Sequence, residues 1–333
     1  MPRLLHTALS FSLITALVAK YSALEHLYAA AGGSSWNSRS GWMGGGNVCK
    51  WHGIECTSGE VTTVDLGGNG VKGTLPSQLA QLTALSILNI DESHLSGTLP
   101  TGLGALSGLT TIMFGSNRRL SGTLPQLGST ALQVIDLSGT RLSGSLPTAL
   151  CPKLQRIHCD HSSISGTVPT QLGHLSSLQA LWLMETHISG SLPTQISRLG
   201  MLSLGFSLAK TRLSGTLPSE IGQLRRLQHL WLDHTNLSGS VPASLGAMRL
   251  RGLELHANRL SGSLPNQISN LSGSLHTCVL AAAQGPLQPK HSQRPEDRPE
   301  PDTNHFTCPL PPGLPTPCVP MLQCVSKGKQ KVG

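Results

Sequence analysis

The sequence predicts a solenoid, in which short structural repeats stack side by side, and three observations lead to that prediction. The motif LSG(T/S)(L/V)P, or a close variant, returns nine times along the 333 residues. Successive copies are 22 to 25 residues apart, which is too regular for a globular domain with one closed core. A pair of apolar residues with strand periodicity precedes the motif. The prolines that close the copies are Pro76, Pro100, Pro125, Pro147, Pro169, Pro193, Pro218, Pro242 and Pro265.

The eighth repeat shows how the elements of one unit follow one another. Leu230 and Leu232 are two residues apart, so both side chains lie on one face of a short strand. The polar Thr235 and the Ser-Gly pair of the motif mark the end of that strand and a bend of the chain. Pro242 then excludes a continuing helix or central strand. Each unit is therefore predicted to be a strand, a bend, a short extended or helical segment, and a return.

The aligned repeats, LxxLxLxxNxLSGxLPxxLGxL, resemble the plant-type leucine-rich repeat over residues 61–280. The resemblance implies nine to ten repeats in a right-handed horseshoe of β-strands and 3-10 turns, with a parallel sheet on the concave face. The leucines then form an apolar spine. The family usually places Asn at the ninth repeat position, and hydroxyl groups can replace some of its bonds. The residues at this position are Asn69, Ser93, Asn117, Thr140, Ser162, Thr186, Thr211, Thr235 and Asn258.

The N-terminal residues predict export. A basic start and an apolar run to Ala19 predict a signal peptide over residues 1–19, with a marginal amphipathic leader or an uncleaved membrane anchor as the alternatives. Residues 20–60 resemble the N-terminal cap of leucine-rich repeat proteins, which covers the first turn of the spine. The resemblance implies a disulfide between Cys49 and Cys56, and a structural disulfide indicates an oxidising compartment. A secreted or cell-surface location is therefore predicted.

The C-terminal region follows the pattern less closely. Residues 281–303 are rich in proline and charge and are predicted to be a disordered insertion. Residues 304–333 read as a C-terminal half-repeat cap followed by a basic tail, and no apolar run of membrane-spanning length follows the repeats. Cys159 and Cys278 are predicted to be small core residues and Cys151 a thiol. Three further cysteines leave one unpaired, namely Cys308, Cys318 and Cys324.

The candidate binding residues come from the fifth to ninth repeats. In the leucine-rich repeat fold that the sequence resembles, residues that flank the inward leucines face solvent on the concave sheet. Ser207 and Ala209 are therefore also expected to face solvent. Trp182 and Trp231 occupy the same slot two repeats apart, about 10 Å from each other. We predict a peptide or protein contact patch around them; the alternative is that they only shield the sheet or stack on neighbouring side chains. The patch consists of His158, Asp160, His161, Trp182, Met184, Glu185, Lys210, His229, Trp231, Asp233, His234, Glu254 and His256.

Other site classes are not predicted. His158 and Asp160 converge on one face, but Asp233 and His234 lie about 14 Å away by stacking, too far to share one metal ion. The sequence contains no HExxH, nucleophile elbow or kinase motif, and GLGALSG is the return turn of a repeat, so neither catalytic residues nor a cofactor are predicted. The net charge of +8 forms no basic stripe among aromatic residues, which argues against nucleic-acid binding.

These observations predict an extracellular or cell-surface module that recognises a peptide or protein in signalling or defence. A membrane co-receptor or a secreted hydrolase is its expected further partner. The alternative is an inhibitor of a secreted polysaccharide-degrading enzyme, and a structural or ice-binding surface ranks last because the recurring threonines occupy a half-buried slot. Two glycosylation sequons begin at Asn236 and Asn270, beside strand ends and outside the concave sheet.

Overall fold

The computed structural model describes residues 19–125, 131–146, 151–280, 304–307, 310–315 and 318. The chain divides into two compact units, one of Met1–Pro147 with Cys151–Ser163 and one of Thr148–Leu150 with Ile164–Gly333. Residues 1–18 of the predicted signal peptide, the insertion 281–303 and most of the basic tail lie outside the described residues.

The first unit begins with the cap. A helix covers residues 19–30, and two 3-10 helices follow at Gly33–Ser35 and Val48–Lys50. The aromatic side chains of this segment pack on one another, with ring centroids 4.8 Å apart for Trp36 and Trp42 and again for Trp42 and Trp51. All three of these indoles are buried. Aromatic pairs in this range stabilise a core beyond the area that they bury, by about 1 kcal/mol each.

Each unit contains one sheet built from the apolar pairs of its repeats, which we call the first sheet of that unit. In the first unit the sheet starts with an antiparallel pair and continues in parallel. Its strands are Ile54–Thr57, Glu60–Asp65, Ile87–Asn89, Thr111–Met113, Val134–Asp136 and Arg156–His158. In the second unit every pairing is parallel. Its strands are Ala180–Trp182, Gly205–Ser207, His229–Trp231, Gly252–Glu254 and Thr277–Val279.

The Ser-Gly segments, predicted to mark the end of a strand and a bend of the chain, form a second parallel sheet in each unit. The fixed repeat length places each segment beside its counterpart in the next repeat, where the backbone groups pair. The serine hydroxyl adds a bond to the preceding repeat, as from Ser214 to the Gly190 carbonyl at 3.3 Å. The strands are Lys72–Gly73, His94–Thr98, Arg119–Thr123 and Arg141–Ser145, then Ser163–Thr167, His187–Gly190, Arg212–Thr216, Asn236–Gly239, Arg259–Ser263 and His305–Thr307.

Short 3-10 helices connect the second sheet back to the first. Each begins directly after the proline that closes a motif, whose fixed φ ends the strand, as at Pro218 with φ −68°. The helices are Ser77–Gln81, Thr101–Ala105, Thr170–His174, Thr194–Arg198, Ser219–Gln223, Ala243–Ala247 and Asn266–Gly273. The prediction of a leucine-rich repeat solenoid with parallel strands and 3-10 turns is confirmed.

Leucines from all three elements form the core of each unit. Leu230, Leu237 and Leu245, from one strand of each sheet and the following 3-10 helix, are fully buried. Burial of such a side chain contributes about 2 kcal/mol, so the spine supplies the main driving force for stacking.

The polar residue at the ninth repeat position is buried, not half-buried, throughout the described repeats. Asn117 bridges two repeats, because its amide donates to the carbonyl of Ile90 at 2.7 Å and its oxygen accepts from the N–H of Leu95 at 2.8 Å. Thr211 donates to the Leu208 carbonyl within its own turn, 2.7 Å away. Asn therefore ties adjacent repeats together, whereas Thr mainly closes its own turn.

The cysteines differ from expectation at one point. Cys49 and Cys56 are joined, the pair that the family resemblance implied. Cys278, expected as a small core residue, is instead bonded to Cys318, since the chain returns to the last strand of the first sheet after 40 residues. Cys151 and Cys159 are buried thiols. Burial raises the pKa of both thiols and keeps them protonated, which suits the predicted core role of Cys159.

Candidate functional site

The first sheet of the second unit positions most of the predicted binding residues. In each three-residue strand the middle side chain is buried in the core, so the residue after it points to the opposite, solvent side. Trp182, Ser207, Trp231 and Glu254 occupy this place in successive strands and are paired in register. One row of side chains thus runs across four repeats on the solvent-facing side of the sheet.

Two indoles in this row flank a recessed serine. Trp182 and Trp231 are half-buried, and both pair with Ser207, which is 2% exposed. The expectation that Ser207 and Ala209 face solvent is wrong, because these small side chains lie between larger neighbours and Ala209 is also only 2% exposed. The row therefore presents two partly exposed indoles with a buried serine between them.

Glycines at the first position of two strands leave space for the large side chains of Trp182 and His229 on the adjacent strands. A Cβ on Gly205 would lie 2.5 Å from Nε1 of Trp182, and one on Gly252 would lie 2.7 Å from Nδ1 of His229. His229 in turn stacks on Trp231, with ring centroids 5.2 Å apart and 28° between the planes. Burial, reinforced by the positive charges of Arg251 and His276, lowers the pKa of His229 and favours the neutral imidazole.

The turns that follow the first-sheet strands carry a second row of side chains, next to the row of Trp182 and Trp231. Glu185, Lys210 and His234 all have positive φ, 53°, 53° and 52°, in the left-handed region that non-glycine residues seldom adopt. Lys210 donates to Glu185 at 2.7 Å. Both partners are well exposed, so this ion pair contributes little to stability but fixes two charges at the edge of the row. Met184 is half-buried in the turn that follows the strand Ala180–Trp182.

Asp233, His234 and His256 form a compact cluster beside the tryptophan row. Nδ1 of His234 lies 3.0 Å from Oδ2 of Asp233, and the rings of His234 and His256 meet edge to face at 4.9 Å. One ligand atom from each of the three residues lies within 4.8 Å of the others. Glu254 borders the cluster; burial and then the charge of Asp233 raise its pKa, against a smaller opposite effect of His234.

The first unit holds the remaining predicted residues. His158 ends a first-sheet strand, and its Nδ1 lies 3.6 Å from Oδ2 of Asp136. Burial raises the pKa of Asp136, but the pairing with His158 and the hydrogen bonds from Ser138 outweigh burial, so its pKa lies below the ordinary value. Asp160 is half-buried and His161 is exposed in the following turn. Neither belongs to a three-ligand group among the described residues.

Sequence reasoning missed several residues that shape these surfaces. Asp136 lies between two apolar strand residues, the same repeat position that His158 and Trp182 occupy in their own repeats. This shared position could have identified Asp136 from the sequence. Gly205 and Gly252 carried no signal of their own, because their role depends on which neighbour leans over them.

The two sequon asparagines lie away from the first sheets. Asn236 is half-buried in a strand of the second sheet. Asn270 is exposed and lies within a 3-10 helix, not beside a strand end as expected. The helices in the described part of the chain include none that is long and apolar enough to cross a membrane.

Comparison with known proteins identifies the class of the repeats. A family model described as Leucine Rich Repeat matches residues 131–152, 226–248 and 249–271. The repeats of this chain are therefore leucine-rich repeats, as the solenoid fold and the motif indicate.

Several of the similar curated proteins are described as plant receptor kinases. Receptor-like kinase TMK4 of Arabidopsis thaliana is 35% identical over 78 residues, which are 23% of this chain and 8% of the kinase. Protein MALE DISCOVERER 2 of the same plant is 32% identical over 95 residues, 28% of this chain and 14% of that protein. The matches thus span a small part of the length of these relatives.

Solved structures give the same assignment for the fold. The ectodomain of GASSHO1/SCHENGEN3 from Arabidopsis thaliana, in complex with CASPARIAN STRIP INTEGRITY FACTOR 2, is 29% identical with a TM-score of 0.65 over 74% of this chain and 33% of its own. The Arabidopsis receptor kinase HAESA, with the peptide hormone IDA and the co-receptor SERK1, is 26% identical with a TM-score of 0.69, over 79% and 46%. A plant ice-binding protein shares the fold at 24% identity and a TM-score of 0.62, over 80% and 87%.

Proposed function

We propose that the chain is a non-catalytic recognition module of an extracellular or cell-surface protein. It binds a peptide or protein on the solvent-facing side of the first sheet in the second unit. The observation that carries this proposal is the row in which Trp182 and Trp231 flank the recessed Ser207. The role in signalling or defence, and a membrane co-receptor as further partner, belong to the same proposal.

The row has the chemistry of an interface anchor. Indoles that are half-buried keep enough apolar surface in contact with water to gain from burial by a partner. Tryptophan is enriched among interface residues whose truncation costs about 2 kcal/mol or more. Ser207 between the indoles is only 2% exposed, so a partner would contact the exposed faces of the two indoles and not the serine hydroxyl. The Glu185–Lys210 pair adds both signs of charge at the rim, which favours specificity over affinity.

The similar structures support a ligand-binding role without naming a ligand for this chain. GASSHO1/SCHENGEN3 and HAESA are both described in complex with a peptide or protein factor. The extracellular location is proposed on the same likeness and on the disulfides Cys49–Cys56 and Cys278–Cys318, which an oxidising compartment would maintain.

A displayed library of random peptides tests the proposal, because it does not require the ligand to be identified first. The full chain would serve as bait, with the Trp182→Ala/Trp231→Ala double variant used in parallel. Peptides selected on the wild-type chain should bind the double variant at least about 30-fold more weakly, the equivalent of about 2 kcal/mol. The matched control is Arg212→Ala/Arg259→Ala, which changes two exposed residues of the second sheet and should leave the Kd within about twofold.

Two results would contradict the proposed site. Equal binding to the wild-type chain and to the tryptophan variant would remove the row from recognition. Loss of binding in the arginine variant alone would transfer recognition to the second sheet. Inhibition of a secreted polysaccharide-degrading enzyme by the full chain, abolished by the tryptophan variant, would keep the site and favour the alternative function of an enzyme inhibitor.

A further inference from the structure

Three potential metal ligands meet where two repeats lie side by side. Trp231 and Glu254 are paired in register, and Asp233 and His256 each follow two residues later in the two turns. The N–H of His234 donates to the carbonyl of His256 at 3.0 Å, so both turns are held in register beyond the strands. The ligand atoms of Asp233, His234 and His256 consequently lie within 4.8 Å of one another.

The distances between these three ligand atoms are close to those in a site for a small metal ion, and a modest rotation of the side chains would bring them into range. Nitrogen and oxygen ligands about 2.0–2.2 Å from Zn²⁺ in tetrahedral geometry lie about 3.3–3.6 Å from one another. The Asp233–His234 pair is already at 3.0 Å. The imidazole of His256 is edge to face with that of His234, and one of its ring nitrogens lies within 4.8 Å of the other two ligand atoms, so its side chain must rotate to complete the site.

The backbone beneath the cluster is fixed by buried polar groups. The side-chain amide of Asn258 donates to the carbonyl of Leu232 at 2.8 Å and to that of His256 at 3.2 Å. Its oxygen accepts from the hydroxyl of Thr235 and from the N–H of Leu237. Both turns that carry ligands are therefore held in place, which lowers the ordering cost of binding an ion.

The donor set selects the kind of cation. Two imidazoles and one carboxylate suit late first-row divalent ions such as Zn²⁺, Cu²⁺ and Ni²⁺, whereas Mg²⁺ and Ca²⁺ prefer oxygen ligands alone. Three protein ligands also leave a coordination position for water or for a group of another molecule. His234 and His256 are half-buried on the solvent-facing side of the sheet, so that position can open toward solvent.

We propose that Asp233, His234 and His256 form a binding site for a divalent transition-metal ion, with Zn²⁺ as the ion to test. The sequence analysis did not predict this site. It considered His158 and Asp160 as possible partners of Asp233 and His234, and these are too distant, whereas His256 lies in the adjacent repeat. The proposal stands independently of the proposed peptide recognition, since it concerns the metal alone.

Isothermal titration calorimetry of the untagged full chain with ZnCl2, after dialysis against EDTA and then metal-free buffer, tests the site. We expect one ion per chain with a Kd in the micromolar range or below. His234→Asn keeps the turn, because Asn tolerates positive φ, and His256→Gln keeps a polar side chain of similar size. Each variant should bind Zn²⁺ at least 10-fold more weakly.

His161→Asn is the matched control, because His161 has the corresponding turn conformation, with φ 54°, in another repeat. It should bind Zn²⁺ as the wild-type chain does. No binding by the wild-type chain, or equal binding by the wild-type chain and both cluster variants, would overturn the proposal. The visible absorption of the Co²⁺-loaded chain gives a second readout: its spectrum should be lost in both cluster variants and retained in the control, whereas a purely structural role of the histidines would produce no such spectrum. Circular dichroism checks that each variant is folded.

Discussion

Single residues decide how the solvent-facing row is built, and the clearest case is a glycine. Gly205 has no positive φ that would demand glycine, yet a Cβ there would collide with the indole of Trp182 at 2.5 Å. The requirement is therefore steric: the residue must be small because its neighbour is large. The same relation joins Gly252 and His229.

Gly205→Ala should therefore displace the indole of Trp182 and destabilise the second unit. Overpacking of this kind costs about 1–3 kcal/mol. Gly200→Ala is the matched control, because a Cβ there meets nothing within 4 Å, and it should leave stability unchanged or raise it by up to about 1 kcal/mol. Urea unfolding followed by tryptophan fluorescence measures both variants. Identical midpoints for the two would show that the indole does not need the space.

The carboxyl group of Asp136 should make the free energy of unfolding depend on pH in the acidic range. Its pKa in the folded chain lies below the ordinary value of 3.8, so the folded state binds this proton more weakly than the unfolded state does. Its stabilising contribution is complete above the unfolded pKa and is lost as pH falls through the folded pKa. Asp136→Asn should thus lower stability at pH 7 and make a progressively smaller difference below about pH 4. Urea midpoints of the wild-type chain and of Asp136→Asn, measured from pH 7 to below pH 4, test this prediction. A difference between the two midpoints that does not change with pH would contradict it.

At the level of elements, the sequence predicted the strands that carry an alternating pair of apolar residues and missed the strands of the second sheet. The pair Leu230 and Leu232 identifies a strand by its own periodicity. The Ser-Gly segments resemble turns in isolation, and they become strands only because Ser238 and Gly239 lie beside Arg259 and Leu260 of the next repeat. Pairing between repeats is a property of the stack, which a single repeat does not contain.

The disulfide between Cys278 and Cys318 was equally out of reach, since connectivity cannot be deduced from cysteine spacing. It closes a loop of 40 residues, whereas Cys49–Cys56 closes one of seven. On a chain-entropy estimate the double variant Cys278→Ala/Cys318→Ala should lose about 4 kcal/mol and Cys49→Ala/Cys56→Ala about 2 kcal/mol. Denaturant unfolding of both variants under oxidising conditions measures the difference. A larger loss for the cap variant would show that packing, not loop closure, dominates.

At the level of the whole molecule, each unit is a stack in which a repeat contacts its immediate neighbours. Stability in such a stack is approximately a sum of repeat and nearest-neighbour terms. The sequence was sufficient for this architecture because its repeat length is nearly constant. It was not sufficient for the cluster at Asp233 and His256, because the distance between them depends on the register of adjacent repeats.

Leu230→Ala should consequently produce a local loss of protection. The side chain is fully buried, and its removal costs about 2–5 kcal/mol. Hydrogen exchange should accelerate most in the strands on either side, Gly205–Ser207 and Gly252–Glu254, and less in Thr277–Val279. Equal acceleration in all strands of the second unit would instead indicate that this unit unfolds as one cooperative block.

The bond to Cys318 has a consequence for self-association. Among the described residues, Thr277–Val279 is the last strand of its sheet, and a strand at an edge can offer its free N–H and C=O groups to another molecule. Cys318, fully buried, is tied to the middle residue of that strand and so holds its own segment at this end of the stack. Reduction of this bond should release that segment and make it easier for a second copy to pair with the last strand. We expect reduced protein to scatter more light over time than oxidised protein, and equal scattering by the two would contradict a role of the bond in preventing self-association.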